Sequence, residues 1–122
     1  MVFTIIKDLP HFKQCLTKES DLTIFYFTAS WCGPCKTISP IVNEIGEKND
    51  HLQVLKIDVD ECDDVSDECQ IKCMPTFKFY KPNKMEPIHE FSGADSNELV
   101  NTIEMLLKKV DFNEDSMNNE NF

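Results

Sequence analysis

Trp31-Cys32-Gly33-Pro34-Cys35 follows an apolar run, Leu22 to Thr28, and precedes a segment with helical periodicity that reaches about Asn49. This place between a strand and a helix makes the Cys-x-x-Cys spacing informative. Two cysteines on the first turn of a helix face the same way, so one sulfur can attack a disulfide and the other can resolve the mixed disulfide that forms. The helix start supplies the electrostatics: its unpaired N–H groups and the positive end of its dipole favour a thiolate at Cys32. An unaided cysteine would titrate near about 8.5. Pro34 gives up a donor that the first turn would not use and fixes φ, while Gly33 keeps the sulfur approachable by another chain. Trp31 adds a flat apolar surface beside the nucleophile. The competing reading, half of a structural zinc site, is disfavoured because no second Cys-x-x-Cys or His-rich hook follows.

On the amino side, Val2 to Ile6 reads as a short strand, and Asp8 caps a helix with Pro10 in its first turn and Leu9, Phe12 and Leu16 along one face. Leu22 to Thr28 is β-branched and aromatic and apolar on both faces, the pattern of a central buried strand. On the carboxyl side, Ile38, Ile41, Val42 and Ile45 mark the inner face of the long helix, and Pro40 inside it removes one backbone hydrogen bond. Leu52 to Asp58 alternates as a third strand, and the acidic run Asp60 to Glu68 carries a short helix ending near Gln70. Thr76 to Tyr80 and Ile88 to Phe91 form a hairpin around Lys81 to Pro87. Asp95-x-x-Glu98 then opens a helix with Leu99, Val100, Ile103, Leu106, Leu107 and Val110 in one stripe. The predicted order is βαβαβαββα, an α/β fold with a central mixed sheet and helices on both faces. Residues 1–110 form the one domain. Residues 111–122 have almost no apolar periodicity and no Lys or Arg, and read as a disordered acidic tail.

The 122 residues carry 12 basic and 22 acidic side chains, a net charge of -10. Such a surface repels phosphate backbones and anionic lipid, which argues against nucleic acid and membrane as partners. Met1 to Asp8 lacks the basic lead and small-residue cleavage site of a signal peptide, and no run approaches the roughly 18 to 20 apolar residues of a membrane span. Six cysteines without a secretion signal suit reduced thiols. The expectation is a cytoplasmic protein, with entry into the nucleus open to it.

Phe27-Thr28-Ala29-Ser30 followed by Trp-Cys-Gly-Pro-Cys-Lys resembles the active site of the thioredoxin family, most closely its animal members. Two further blocks carry the resemblance: Lys56 to Tyr80, with Ile-Asp-Val-Asp-Glu-Cys and Lys-Cys-Met-Pro-Thr-Phe, and Glu90-Phe91-Ser92-Gly93-Ala94. It spans about residues 1–108, with a hairpin loop slightly longer than usual. The resemblance implies the thioredoxin fold and a protein-disulfide reductase in which Cys32 attacks and Cys35 resolves. It implies no bound cofactor and no metal, the electrons coming from NADPH through thioredoxin reductase. Disulfide-containing client proteins and that reductase are the implied partners. It further implies a cis Met74-Pro75 bond facing the two cysteines, with Met74 offering its backbone N–H and C=O to an extended substrate. Gly93 would line the apolar groove with Trp31, and Asp60 would lie near the tryptophan. A redox-dependent binding or regulatory protein, or a low-activity paralogue, is the alternative.

Tyr26 is the departure. The family usually has a buried aspartate six residues before the first motif cysteine, thought to help move the proton of the second. Tyrosine, with a pKa near about 10, is not a base at neutral pH, so resolution by Cys35 is expected to be slow. Tyr26→Asp is expected to speed it and leave the fold intact. The other reading makes Tyr26 a core aromatic that removes a costly buried charge. Cys62, Cys69 and Cys73 match extra cysteines that the family's vertebrate members use in regulation. If the segment between Cys62 and Cys69 is helical they stand roughly 10 Å apart, beyond the Cα separation of about 7 Å that a disulfide tolerates. A bridge between them therefore requires local unfolding. Cys73 is expected on the rim of the active site, where it can link two copies into an oxidised homodimer. Cys15 reads as a small core residue, and the Cys-x6-Cys-x3-Cys spacing matches no common zinc hook.

Overall fold

Asp8, ahead of the first helix, does what an N-cap residue should: its carboxylate accepts the His11 N–H at 2.9 Å, and Pro10 sits in the first turn. The computed structural model describes residues 4–115. The elements are β1 (Thr4–Ile5), α1 (Leu9–Cys15), β2 (Leu22–Thr28), α2 (Gly33–Lys48), β3 (Leu52–Asp58), α3 (Asp63–Glu68), β4 (Thr76–Tyr80), β5 (His89–Ser92) and α4 (Ser96–Asp115). The order is the βαβαβαββα read from the sequence. Asp95 opens α4 by accepting the Glu98 N–H at 3.0 Å, and α3 is followed by Gln70 in the left-handed region, φ 57.

The strands form one mixed sheet in the order β1-β3-β2-β4-β5. β1 and β2 run parallel to β3, whereas β4 is antiparallel to both β2 and β5. β2 is therefore central, and all seven of its residues are buried. Period-two alternation sends Phe25 and Phe27 to one face, where they meet Phe12 of α1, Leu16 just after that helix and Val65 of α3. Ile24 and Tyr26 go to the other face, against Ile38 and Val42 of α2 and Leu99, Ile103 and Leu106 of α4. Helices cover both faces, and the chain has the α/β architecture expected of it.

Some boundaries differ from the sequence reading. The first strand ends at Ile5 rather than Ile6, although Ile6 still donates to the Lys56 carbonyl at 2.9 Å; residues 1–3 lie outside the described residues. β5 is His89–Ser92 rather than Ile88 to Phe91. At the other end α4 continues to Asp115, so residues 111–115, assigned above to a tail, are helical. No Gly or Pro occurs between 96 and 115, and once a helix is nucleated each further residue adds a bond at little cost. The rest of the proposed tail, 116–122, lies outside the described residues.

On the α2/α4 side an aromatic row crosses the sheet. Tyr26 stacks on Phe77 with ring centroids 5.2 Å apart, and Phe77 stacks on Phe91 at 5.1 Å. Phe77 is fully buried between them. Phe77→Ala should cost about 3 to 5 kcal/mol of stability, read as a lower urea midpoint with an unchanged slope.

Candidate active site

Cys32 stands at the carboxyl end of the central strand as the N-cap of α2. Its sulfur accepts the Cys35 N–H at 3.1 Å, and Cys32 and Cys35 form a disulfide with Cα atoms 5.3 Å apart. One of the orphan donors of the helix start is thus spent on the sulfur. When the bond is reduced, the same N–H faces the Cys32 thiolate, and α2 has no acidic residue in its first turn to oppose that charge. Pro34 occupies the first turn. A Cβ at Gly33 would meet nothing within 4 Å, so only an incoming chain has use for the space left there.

Both sulfurs are shielded within the fold, Cys32 at 5% and Cys35 at 1% exposure, while Trp31 is 65% exposed beside them. The Trp31 indole N–H donates to the Asp60 carboxylate at 2.7 Å, which pins the ring. Asp58 holds that turn, its Oδ1 accepting from Asp60 N–H at 2.9 Å and Glu61 N–H at 3.3 Å. On the opposite side Met74 packs on Ala29, Cys32 and Cys35, and the Met74-Pro75 bond is cis. The Pro75 carbonyl accepts the Gly93 N–H at 2.9 Å, and Gly93 takes φ +114, a conformation that suits glycine. Trp31, Cys32, Met74, Pro75 and Gly93 therefore belong to one surface built from three loops.

Tyr26 lies on the inner side of that surface, fully buried. Its hydroxyl donates to the Cys35 carbonyl at 2.9 Å, so it braces the backbone of the resolving cysteine. This setting weighs against the expectation that Tyr26→Asp leaves the fold intact. Aspartate would lose the stack on Phe77, leave a cavity and bury a charge.

The remaining thiols are separated by burial. Cys15 is buried at the end of α1, and burial pushes its thiol up. Cys62 and Cys69 flank α3, one helical span apart, and both are free. Burial, and then the nearby Asp64 carboxylate, push the Cys62 thiol up to about 11. Burial raises Cys69 as well; it is hydrogen-bonded to Tyr80, whose hydroxyl is raised for the same reason. Cys73 is exposed, next to Met74, and its carbonyl accepts from Thr76 Oγ1 at 2.6 Å. Among the described residues no group of three or more His, Cys, Asp or Glu side chains could hold a metal ion.

Two features escaped the sequence reading. Asp64 ties α3 to α1: Oδ2 accepts the Leu9 N–H at 2.8 Å, and Oδ1 takes the Cys62 thiol at 3.6 Å. Behind Cys35 a cleft of about 420 Å³ is lined by Tyr26, Ser39, Lys36, Lys56 and Asp58, among others. Alternation along β3 places Lys56 and Asp58 on one face, but only the strand register sets them beside Tyr26 and Thr28.

The family model for thioredoxin matches residues 3–105. Human thioredoxin is 44% identical over 97 residues, covering 79% of this chain and 90% of the human protein. Thioredoxin of Ophiophagus hannah is 45% identical over 100 residues, or 81% of this chain and 93% of the relative. Among solved structures, Plasmodium falciparum thioredoxin aligns with TM-score 0.77 and 33% identity, covering 84% of this chain and 97% of its own. Fasciola hepatica thioredoxin aligns with TM-score 0.80 and 27% identity over 84% and 98%.

The high thiol value at Cys62 fixes an order of reactivity. With the Cys32–Cys35 disulfide intact and iodoacetamide at neutral pH, Cys73 should be the first of the four free thiols alkylated and Cys62 the last, the rate at Cys62 climbing with pH to about 11 rather than levelling near 9.0. The unfolded thiol ionises first, so this contribution to stability is complete below pH 9.0 and is lost as pH rises through about 11. Mass spectrometry of the alkylated peptides checks the order.

Proposed function

The chain belongs to the thioredoxin family, and from that premise we propose a protein-disulfide reductase that thioredoxin reductase recycles with electrons from NADPH. Thiol–disulfide oxidoreductase activity through Cys32 and Cys35 follows from family membership and the disulfide itself. The observation that carries the reading is the Cys32 sulfur held on the Cys35 N–H at the start of α2. In the reduced protein the Cys32 thiolate attacks a client disulfide, expelling one client thiolate and forming a mixed disulfide. Cys35 loses its proton and attacks the Cys32 sulfur, which releases the second client thiolate and closes the Cys32–Cys35 bond. Two electrons pass to the client, and the reductase returns them.

Support for an extended client segment comes from the exposed Trp31 face and from the loop of Met74, Pro75 and Gly93 across the disulfide from it. The four cysteines outside the motif are free, which suits the reducing cytoplasm. Exposure of Cys73 supports an oxidised homodimer joined through that residue in two copies.

Turnover of NADPH with thioredoxin reductase and insulin as the disulfide substrate tests the reading. Wild-type protein should sustain turnover and Cys32→Ser should abolish it. Cys35→Ser should accumulate mixed disulfides with clients; absence of turnover in the wild type overturns the assignment. Non-reducing electrophoresis after peroxide treatment should show a dimer that Cys73→Ser lacks.

A further inference from the structure

Cys35 must give up a proton before it can attack, and the group nearest to it in the core cannot take one at neutral pH. The Tyr26 hydroxyl is already donating to the Cys35 carbonyl, and the oxygen of a neutral phenol is too weak a base to take the proton of a thiol. The cleft behind Cys35 offers another route. Tyr26 and Cys35 form part of its wall, and its volume of about 420 Å³ has ample room for water. Asp58 is the only carboxylate among the described residues that line it.

The strand register puts Asp58 there. Tyr26 pairs with Lys56 and Thr28 with Asp58, so these side chains stand on the sheet face that α2 covers. Asp58 is held in place by accepting the Asp60 and Glu61 N–H groups on Oδ1. A carboxylate has about four acceptor sites, so Oδ2 remains able to accept from water in the cleft. The charged groups around it are Lys36 from α2 and Lys56 from its own strand, with Asp60 and Glu61 in the turn beyond.

We infer that Asp58 is the proton acceptor for Cys35, acting through water in this cleft, in the position that Tyr26 leaves without a base. The inference rests on the dithiol mechanism above and concerns its second half alone. In the mixed disulfide the Cys35 proton passes through water to the Asp58 carboxylate as the Cys35 sulfur attacks Cys32. The Cys32–client bond breaks, the Cys32–Cys35 bond forms, and the proton on Asp58 leaves through the cleft to solvent or to the departing client thiolate. No outside oxidant or reductant enters the step.

Asp58→Asn tests it, because the amide oxygen still accepts the Asp60 and Glu61 N–H groups while the basic site is lost. Rapid-quench kinetics separate formation of the mixed disulfide from its resolution. The expected result is resolution at least about tenfold slower at pH 7 with formation unchanged, general-base help being worth about a hundredfold or more when direct. The two proteins should converge at strongly alkaline pH, where hydroxide takes the Cys35 proton in both. Equal resolution rates for Asp58→Asn and wild type from neutral to alkaline pH overturn the inference. So does a parallel loss in both steps. Failure of the dithiol mechanism itself would show differently, as a wild type that forms no mixed disulfide.

Discussion

The hydrogen bond from the Cys35 N–H to the Cys32 sulfur joins the end of β2 to the start of α2, and the rest of the site depends on that junction. It stays put because β2 is paired on both edges and buried along its whole length. The same pairing decides what surrounds it. Thr28 opposite Asp58 brings in the turn that holds Asp60 against Trp31. Phe27 opposite Thr76 brings in the loop of Met74 and Pro75 on the other side. Three loops distant in sequence converge because β2 and β3 end where the antiparallel β4 begins. This is the usual location of sites in α/β sheets, outside the carboxyl ends of the strands.

Tyr26 shows core stability and proton chemistry drawing on the same position. As an aromatic it completes the row with Phe77 and Phe91, satisfies its hydroxyl on the Cys35 carbonyl and spares the core a buried charge. A carboxylate there would sit where an uncompensated charge is expensive, yet close to the thiol that must be deprotonated. With tyrosine in place the basic group moves outward to Asp58, at the wet margin of the sheet, where a charge costs far less to keep. Distance from the sulfur is then bridged by solvent rather than by the side chain.

The fold was legible because its signals are local. Uninterrupted apolar residues from Leu22 to Thr28 mark a central strand, Asp8 and Asp95 mark helix starts, and the Cys32 motif marks the strand–helix junction. The end of α4 was misjudged because the apolar stripe fades before the helix does, and nothing in residues 96–115 breaks it. Trp31, Cys32 and Cys35 were legible as a contiguous motif, and Met74, Pro75 and Gly93 only through family resemblance. Asp58 and Asp64 were not legible as partners of anything. What each touches depends on strand register and on how α3 docks on α1, and both are set by tertiary packing rather than by neighbours in sequence.

Cys32 and Cys62 make plain why a helix start alone does not create a nucleophile. Both are N-cap residues, of α2 and α3 respectively. At α2 the sulfur is an acceptor, turned onto the Cys35 N–H, and the first turn holds no acidic side chain. At α3 the arrangement differs: Cys62 donates its S–H to the Asp64 carboxylate, in a first turn that also contains Asp63. A negative sulfur is stabilised in the first arrangement and opposed in the second, because a carboxylate beside a thiol favours the proton staying on sulfur. Burial is the larger cause of the raised Cys62 thiol, and it outweighs the Val65 N–H, which works the other way. The same amino acid at the same helical position thus becomes the attacking group in one loop and a thiol that keeps its proton in another, according to its burial and the partner the sulfur faces.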